Sequence, residues 1–431
     1  MTGVQTCALP ISPAAALRGS VRVPGCKGIS HRALLLAAIA DGTSEIRGLA
    51  DGADVRSTRG ALEALDLSVS DISNGVRVVG RGFDMLSEPD DPIDCGNSGT
   101  TMRMLAGMLA GRPMDAVLVG DASLTRRPMG RVVEPLRVLG ARIETVDGHA
   151  PLTVNGGVLV GAEVDLPVSS GQVKSAVLLA GPQASGPTTV REPAPSRDHT
   201  ERMLAALGAP IQRLDPCTVR VGTVGALDRF EVDVPGDASS AAFLVVAAAI
   251  LPGSEVTVVD VNLNPGRTAY LGILREMGAD IEVIDRGERL GEPVGDVTVR
   301  SAPLHGVRIV SDEGIVDELP ILAVAGAAAE GQTEIVGAAE LRVKESDRIE
   351  TTVAMLRAFG ITVEATDDGL VVEGGAFAAA SVDSAGDHRI AMCAAVAALR
   401  ADGESTIHGW EAVDVSYPGF AADLAALRGD A

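Results

Sequence analysis

Three of the chain's 36 cationic side chains are lysine, at Lys27, Lys174 and Lys344, and the rest are arginine. Each lysine opens a long apolar stretch behind a loop-like lead-in: PGCKGISHRALLLAAIA, SSGQVKSAVLLAG and ELRVKESDRIE. Lysine is a compact point charge on a flexible stem, whereas arginine is a planar fork. In so arginine-rich a chain, three lysines in like settings predict that some of them bring concentrated positive charge to a site; accident is the alternative. Arg32, Arg103, Arg197, Arg348 and Arg389 fall in the same kind of lead-in or just after a related loop, and Arg127 stands in LTRRPMG. Guanidiniums grip carboxylates and phosphates through paired hydrogen bonds, and lysine grips phosphate as a point charge. The chemistry on offer is the holding of small anions.

The elements that must position these groups repeat. Six times, about 70 residues apart, a small or polar lead-in runs into an apolar helix, a Gly-marked stop, a short strand and a second, amphipathic helix. The lead-ins are KGISHR, NSGTTMR, SSGQVKS, GDASSAA, EGIVDELP and GDHRIAM. First helices such as ALLLAAIA and FLVVAAAIL lack a polar face, which predicts burial. Second helices such as RVVEPLRVLG carry charge on one side and should face solvent. The pattern predicts an α/β fold of two similar domains, three units closing each. Small and capping residues lead the buried helices, and a helix N-terminus favours anions. If the buried helices of a domain run parallel, their positive ends converge, and two domains facing each other would trap an anion.

The bulk composition narrows the partners. A formal charge of −22 argues against nucleic acid and anionic membranes, and one Trp, two Tyr and six Phe leave little to stack on bases. The longest apolar run, 241–251, falls short of the ~20 residues that cross a bilayer. No basic stretch precedes an apolar segment at the start, so no secretion signal is expected. Five cysteines without CxxC spacing fit reduced thiols in the cytoplasm. The first eleven residues, MTGVQTCALPI, resemble the translation of a sequencing-library adapter; they are set aside as non-native and kept out of the fold reading.

PGCKGISHRALLLAAIADGTSEIRG, CGNSGTTMR, TRRPMG, SSGQVKSAVLLAG, SRDHTERML, DEL, LRVKESDRI and DHRIAM together resemble the EPSP synthase family, from about residue 18 to the C-terminus. The resemblance implies two domains, each of three βαβαββ units with buried parallel helices, an inside-out α/β barrel. One domain would hold residues 1–25 and 237–431 and the other 26–236. It implies transfer of the enolpyruvyl group of phosphoenolpyruvate to the 5-hydroxyl of shikimate 3-phosphate, on the route to chorismate and aromatic amino acids. The reaction passes through a tetrahedral ketal and needs no metal or cofactor. Carried over, Lys27, Gly99, Arg127, Gln172, Arg348 and Arg389 would hold phosphoenolpyruvate. Lys27, Gly28, Arg32, Ser170, Gln172, Arg197, Asp317 and Lys344 would hold shikimate 3-phosphate. Asp317 would take the 5-hydroxyl proton and Glu345 would protonate the methylene carbon, with Lys27 completing the catalytic set. Asp317 near lysine charge should stay ionised, and Glu345 would carry a raised pKa if desolvated. A monomer acting on these two small molecules is expected.

Other readings compete. Asp317 and Glu318 in IVDEL suit helix capping, and His31, His199 and His388 suit satisfied polar residues at helix starts, without metal-ligand spacing. Lys174 serves equally as a structural partner or a site residue. Gly28 stands where the family has a serine that contacts substrate, and Val415 where one branch has a lysine. Gly99 is the small residue that leaves room for the inhibitor glyphosate. A related family acts on UDP-N-acetylglucosamine and uses a loop cysteine; Cys95, Cys217 and Cys393 do not lie in such a loop. A non-catalytic repeat scaffold would need a basic or aromatic stripe, which is missing.

Overall fold

Six segments rich in alanine, leucine, valine and isoleucine have no polar face, so each must be enclosed. They form α1 (Lys27–Ile39), α2 (Gly99–Leu109), α3 (Gly171–Ala180), α4 (Ala238–Ile250), α5 (Leu319–Ala327) and α6 (His388–Ala398). Every residue of α4 and α5 is buried. These elements come from a computed structural model that describes residues 7–83 and 86–429. No helix among the described residues is long and apolar enough to cross a membrane.

The chain divides into two compact units. The first takes the chain up to Pro24, Gly236–Gly287 and everything from Pro293; the second takes Gly25–Pro235 and Glu288–Glu292. Each has its own core, with Phe243, Tyr270, Phe359 and Phe420 in the first and Leu34, Met104 and Val177 in the second.

In the second unit α1, α2 and α3 accompany three sheets. Each sheet pairs an edge strand in parallel with the strand that follows a buried helix, then adds an antiparallel hairpin. Ile93–Asp94 runs parallel to Asp115–Val119, which pairs antiparallel with His149–Asn155, and Arg142–Val146 completes the sheet. Glu163–Asp165, Thr188–Arg191, Thr218–Val221 and Ile211–Asp215 repeat that order. Around Ala40–Arg47 the parallel edge comes from the far end of the unit, Leu227–Asp228 and Glu231–Asp233. Strand Gly75–Arg81 alternates inward Val76 and Val78 with outward Arg77 and Val79, the period of a half-buried sheet. Outer helices bury one stripe: Gly130–Val138 turns Val132, Val133 and Leu136 inward. Gly107 on α2 lets the helices touch, because a Cβ there would lie 2.1 Å from the carbonyl oxygen of Ala176 on α3.

The first unit repeats the order twice, around Glu255–Asn262 and around Gln332–Val336. In its third sheet Ser381–Asp383 runs parallel to Ser405–His408, whose other edge pairs antiparallel with Ala8–Ile11. Setting aside all eleven opening residues is therefore too wide for the fold: residues 1–6 lie outside the described residues, but Ala8–Ile11 form a strand.

The helix starts divide by capping. Ser98, Asp237 and Asp387 cap α2, α4 and α6 through their side chains, occupying N–H groups there. Cys26, Ser170 and Glu318 precede α1, α3 and α5 without any side-chain cap bond. Side-chain caps thus serve α2, α4 and α6 but not α1, α3 and α5.

Candidate active site

In the second unit, hydrogen bonds tie the three buried helices together at their first turns. Nδ1 of His31 on α1 lies 2.6 Å from Oγ1 of Thr58, which lies 2.7 Å from Oγ1 of Thr101 on α2. The Gln172 amide on α3 donates to Oγ1 of Thr100 at 2.9 Å, and its oxygen accepts from Arg103 at 2.5 Å. Arg32 on α1 donates to Oγ of Ser175 at 2.7 Å and to the Gly171 carbonyl at 3.3 Å. The N-termini of these helices therefore lie together here, two of the three without a side-chain cap.

The cations at this end are held mainly by neutral acceptors. Arg32 is buried and bonds Thr200 at 2.7 Å and the Gly28 carbonyl at 2.8 Å besides its α3 contacts. Burial lowers its pKa to about 10, against which Glu201 and Glu292 act, so it stays charged at neutral pH. Arg103 is likewise lowered to about 10 by burial, then by Arg131 and Arg127. Arg127 donates to Oδ1 of Asn97 at 2.6 Å, and Asn97 donates to Asp121 at 2.7 Å. Hydroxyls, carbonyls and amides orient these guanidiniums without cancelling them, which leaves positive charge for an anion. Lys27 differs, because its ammonium sits 3.1 Å from Asp54, with 40% of its side chain exposed. Burial raises the Asp54 pKa, but Lys27 and then His31 outweigh it and hold the carboxyl below its usual range. An exposed pair of this kind is worth ~1 kcal/mol at most; it aims the ammonium rather than stabilising the fold.

Gly28, Gly99, Ser170 and Arg197 complete this cluster. A Cβ at Gly99 would stand 3.3 Å from Arg103 and 3.5 Å from Arg127, and one at Gly171 would stand 3.1 Å from the Arg197 side chain. Gly99 leaves two guanidiniums room to approach a helix start, and Gly171 lets the backbone and Cβ of Arg197 pack against another. Lys174 does not join them. It is buried, 2.6 Å from Glu192 and 2.9 Å from Glu201, and it donates to the Ser196 carbonyl at 3.3 Å. Glu192 in turn accepts from the backbone N–H and the hydroxyl of Ser196. Lys174 is thus the structural partner of the loop that carries Arg197, and only two of the three lysines stand in the clusters.

The first unit assembles the remaining candidates, and there carboxylates dominate. Arg348, 2% exposed at its side chain, bonds Asp387 at 2.8 Å, Glu345 at 2.6 Å and Asp317 at 3.4 Å. Lys344 lies 2.8 Å from Glu340 and 3.8 Å from Asp317. Arg389 donates to the Asp317 carbonyl at 2.8 Å. Glu318 makes no cap bond to α5; it is fully buried among Ser239, Arg267 and Arg389. Burial pushes the Glu345 pKa up, but Arg348 and then His388 bring it below its ordinary value. The raised value expected of a proton donor is therefore not what this arrangement gives while Arg348 holds the carboxylate.

A sequence model described as EPSP synthase (3-phosphoshikimate 1-carboxyvinyltransferase) matches residues 11–424. The chain belongs to the EPSP synthase family. It is 51% identical to the 3-phosphoshikimate 1-carboxyvinyltransferase of Synechococcus sp. (strain WH7803), over 99% of this chain and 100% of that one. It is 52% identical to that of Halorhodospira halophila, over 95% and 94%. Among solved structures, EPSP synthase from Acinetobacter baumannii superposes with a TM-score of 0.90 at 41% identity, covering 97% of this chain and 98% of that one.

Within this EPSP synthase architecture several neighbours escaped the motif reading. Asp54 begins an outer helix, and nothing in ADVRS marks it as the partner of Lys27. Asn97 and Asp387 lie inside quoted motifs, two residues before Gly99 and Arg389, so their proximity was visible though their duties were not. Among the described residues no group of His, Cys, Asp and Glu could hold a metal ion.

Proposed function

We propose that the chain transfers the enolpyruvyl group of phosphoenolpyruvate to the 5-hydroxyl of shikimate 3-phosphate, giving 5-enolpyruvylshikimate 3-phosphate and phosphate. Lys27, Gly99, Arg127 and Gln172 in the second unit, with Arg348 and Arg389 in the first, bind phosphoenolpyruvate. Lys27, Gly28, Arg32, Ser170, Gln172 and Arg197, with Asp317 and Lys344, bind shikimate 3-phosphate. Each unit is read as three βαβαββ repeats around parallel buried helices. The observation that carries the reading is Arg32, Arg103 and Arg127 gathered at convergent helix starts and oriented by neutral acceptors, in a chain of formal charge −22. Such a cluster suits phosphates and a carboxylate.

Asp317 accepts the proton of the 5-hydroxyl as that oxygen bonds to the second carbon of phosphoenolpyruvate. Glu345 delivers a proton to the methylene carbon, forming a tetrahedral ketal. In elimination Glu345 takes a proton back from the methyl group, the double bond re-forms, and phosphate leaves with the proton that Asp317 had accepted. Two carboxylates with opposite duties need different surroundings. Asp317 faces Lys344 and Arg348, whereas Glu345 keeps 47% of its side chain exposed and has Arg348 as partner. Loosening of that contact by substrate anion at Arg348 would free Glu345 to take up its proton. The test is phosphate release from phosphoenolpyruvate with shikimate 3-phosphate or UDP-N-acetylglucosamine as acceptor. Turnover with the first supports the proposal, and turnover with the sugar nucleotide alone would overturn it.

A further inference from the structure

A ring nitrogen that the reading above leaves unused faces the space at Gly28. His199 opens the helix His199–Ala206 and is 1% exposed. Its Nδ1 lies 2.8 Å from Oε1 of Glu292, a fully buried residue that the short stretch Glu288–Glu292 contributes to the second unit. A carboxylate only accepts, so Nδ1–H donates and the ring orientation is set. Nε2, at the other end of the ring, has no hydrogen-bond partner among the described residues. A Cβ built on Gly28 would stand 3.5 Å from Nε2, 3.4 Å from Cδ2 and 3.6 Å from Nη1 of Arg32. Glycine thus leaves room for a Cβ-sized group in contact with an imidazole nitrogen and a guanidinium, next to Lys27 in sequence.

We propose that His199 is a further shikimate 3-phosphate contact, with Nε2 accepting a hydrogen bond from a hydroxyl of that substrate in the space Gly28 leaves. Glu292 is its positioning residue. The proposal rests on the assignment of Arg32 and Lys27 to the same substrate. A buried carboxylate–imidazole pair is a weak source of stability. A ring fixed at one nitrogen and open at the other is a preorganised binding group, and the oxygen it meets is one that a side chain at position 28 would otherwise reach.

Asn and Gln separate the two nitrogens. In His199→Asn the amide nitrogen falls near the Nδ1 position and keeps the Glu292 bond, whereas in His199→Gln the amide group reaches the Nε2 position, where its oxygen can accept. Asn is expected to raise KM for shikimate 3-phosphate about tenfold, the loss of one hydrogen bond to a charged or polar substrate group. KM for phosphoenolpyruvate should stay within about twofold, and Gln should restore most of the affinity. Arg32→Met serves as the control. If it weakens shikimate 3-phosphate while His199→Asn does not, the His199 proposal is wrong. If Arg32→Met also changes nothing, the site assignment falls and takes the proposal with it. A second measurement needs no His199 variant. In imidazole-¹⁵N spectra of the unsubstituted protein, shikimate 3-phosphate alone should shift the ring signal that Gly28→Ser also shifts, and no such shift would overturn the proposal.

Discussion

Lowering the pH from 7 to 5 should remove about 2 kcal/mol of stability from the second unit through His31 alone. His31 is enclosed on α1, with Nδ1 against Thr58 and Nε2 buried without a hydrogen-bond partner among the described residues. Burial is the largest influence on it; Asp54 opposes, Lys27 and Arg32 reinforce, and the pKa falls from 6.5 to about 3. The folded protein therefore keeps this ring neutral where the unfolded chain takes up a proton. Stability from His31 is present above pH 6.5 and drains as the pH falls toward about 3. At pH 5 the unfolded state gains about 2 kcal/mol from that proton, and at pH 7 only about 0.2 kcal/mol. Glu201, raised by burial against the pull of Lys174, works in the opposite sense and gains stability as the pH falls. The measure is therefore the difference between the unsubstituted protein and His31→Asn, which keeps a partner for Thr58 and cannot titrate. Urea unfolding followed by circular dichroism at both pH values supplies it. Equal pH dependence in the two proteins would refute a neutral, buried His31, as would a His31 ring signal titrating near pH 6.5 in the folded state.

Lys174→Met leaves Glu192 and Glu201 buried without their cation and should cost about 3–5 kcal/mol, with a raised KM for shikimate 3-phosphate through the loop bearing Arg197. Adding Glu201→Leu should recover part of the stability, and a loss below about 1 kcal/mol in thermal unfolding would show that the cluster is not coupled. Glu345→Gln should abolish turnover while calorimetry still detects shikimate 3-phosphate binding; an unchanged kcat removes Glu345 from the mechanism. Asp387→Asn weakens the buried partner of Arg348 and should raise KM for phosphoenolpyruvate about tenfold, the order expected for a weakened charge-assisted contact. An unaltered KM would mean that Arg348 holds its place without Asp387.

Much of this molecule was legible from residue order because its strongest signals are local. The apolar runs that became α1 to α6 have no polar face, and the lead-ins before them carry the glycines, hydroxyls and arginines that gather at the helix starts. Long-range pairings left no comparable mark. Asp54 meets Lys27 from an outer helix whose sequence reads as ordinary solvent-facing charge. Glu292 reaches His199 from RLGEPVG, 93 positions downstream, where nothing distinguishes it from any hairpin residue. Lys174 shows the limit in the other direction. Its lead-in matches that of a site residue, yet the side chain turns to Glu192 and Glu201, a choice set by where the loop after Glu192 and the helix His199–Ala206 fold back. Capping divided the six starts as well, since Asp237 and Asp387 use their carboxylates on backbone N–H groups while Cys26 has no comparable acceptor.

The edge strand Ala8–Ile11 pairs with Ser405–His408, which gives the order of events on the ribosome a definite shape. Residues at the amino end must wait, exposed, until nearly the whole polypeptide has been made before their sheet can close. Gly25–Pro235 emerges as one continuous stretch and can begin to compact far earlier. Even that body receives a late piece, because the acidic partner of His199 is translated only after the stretch that needs it has already left the tunnel.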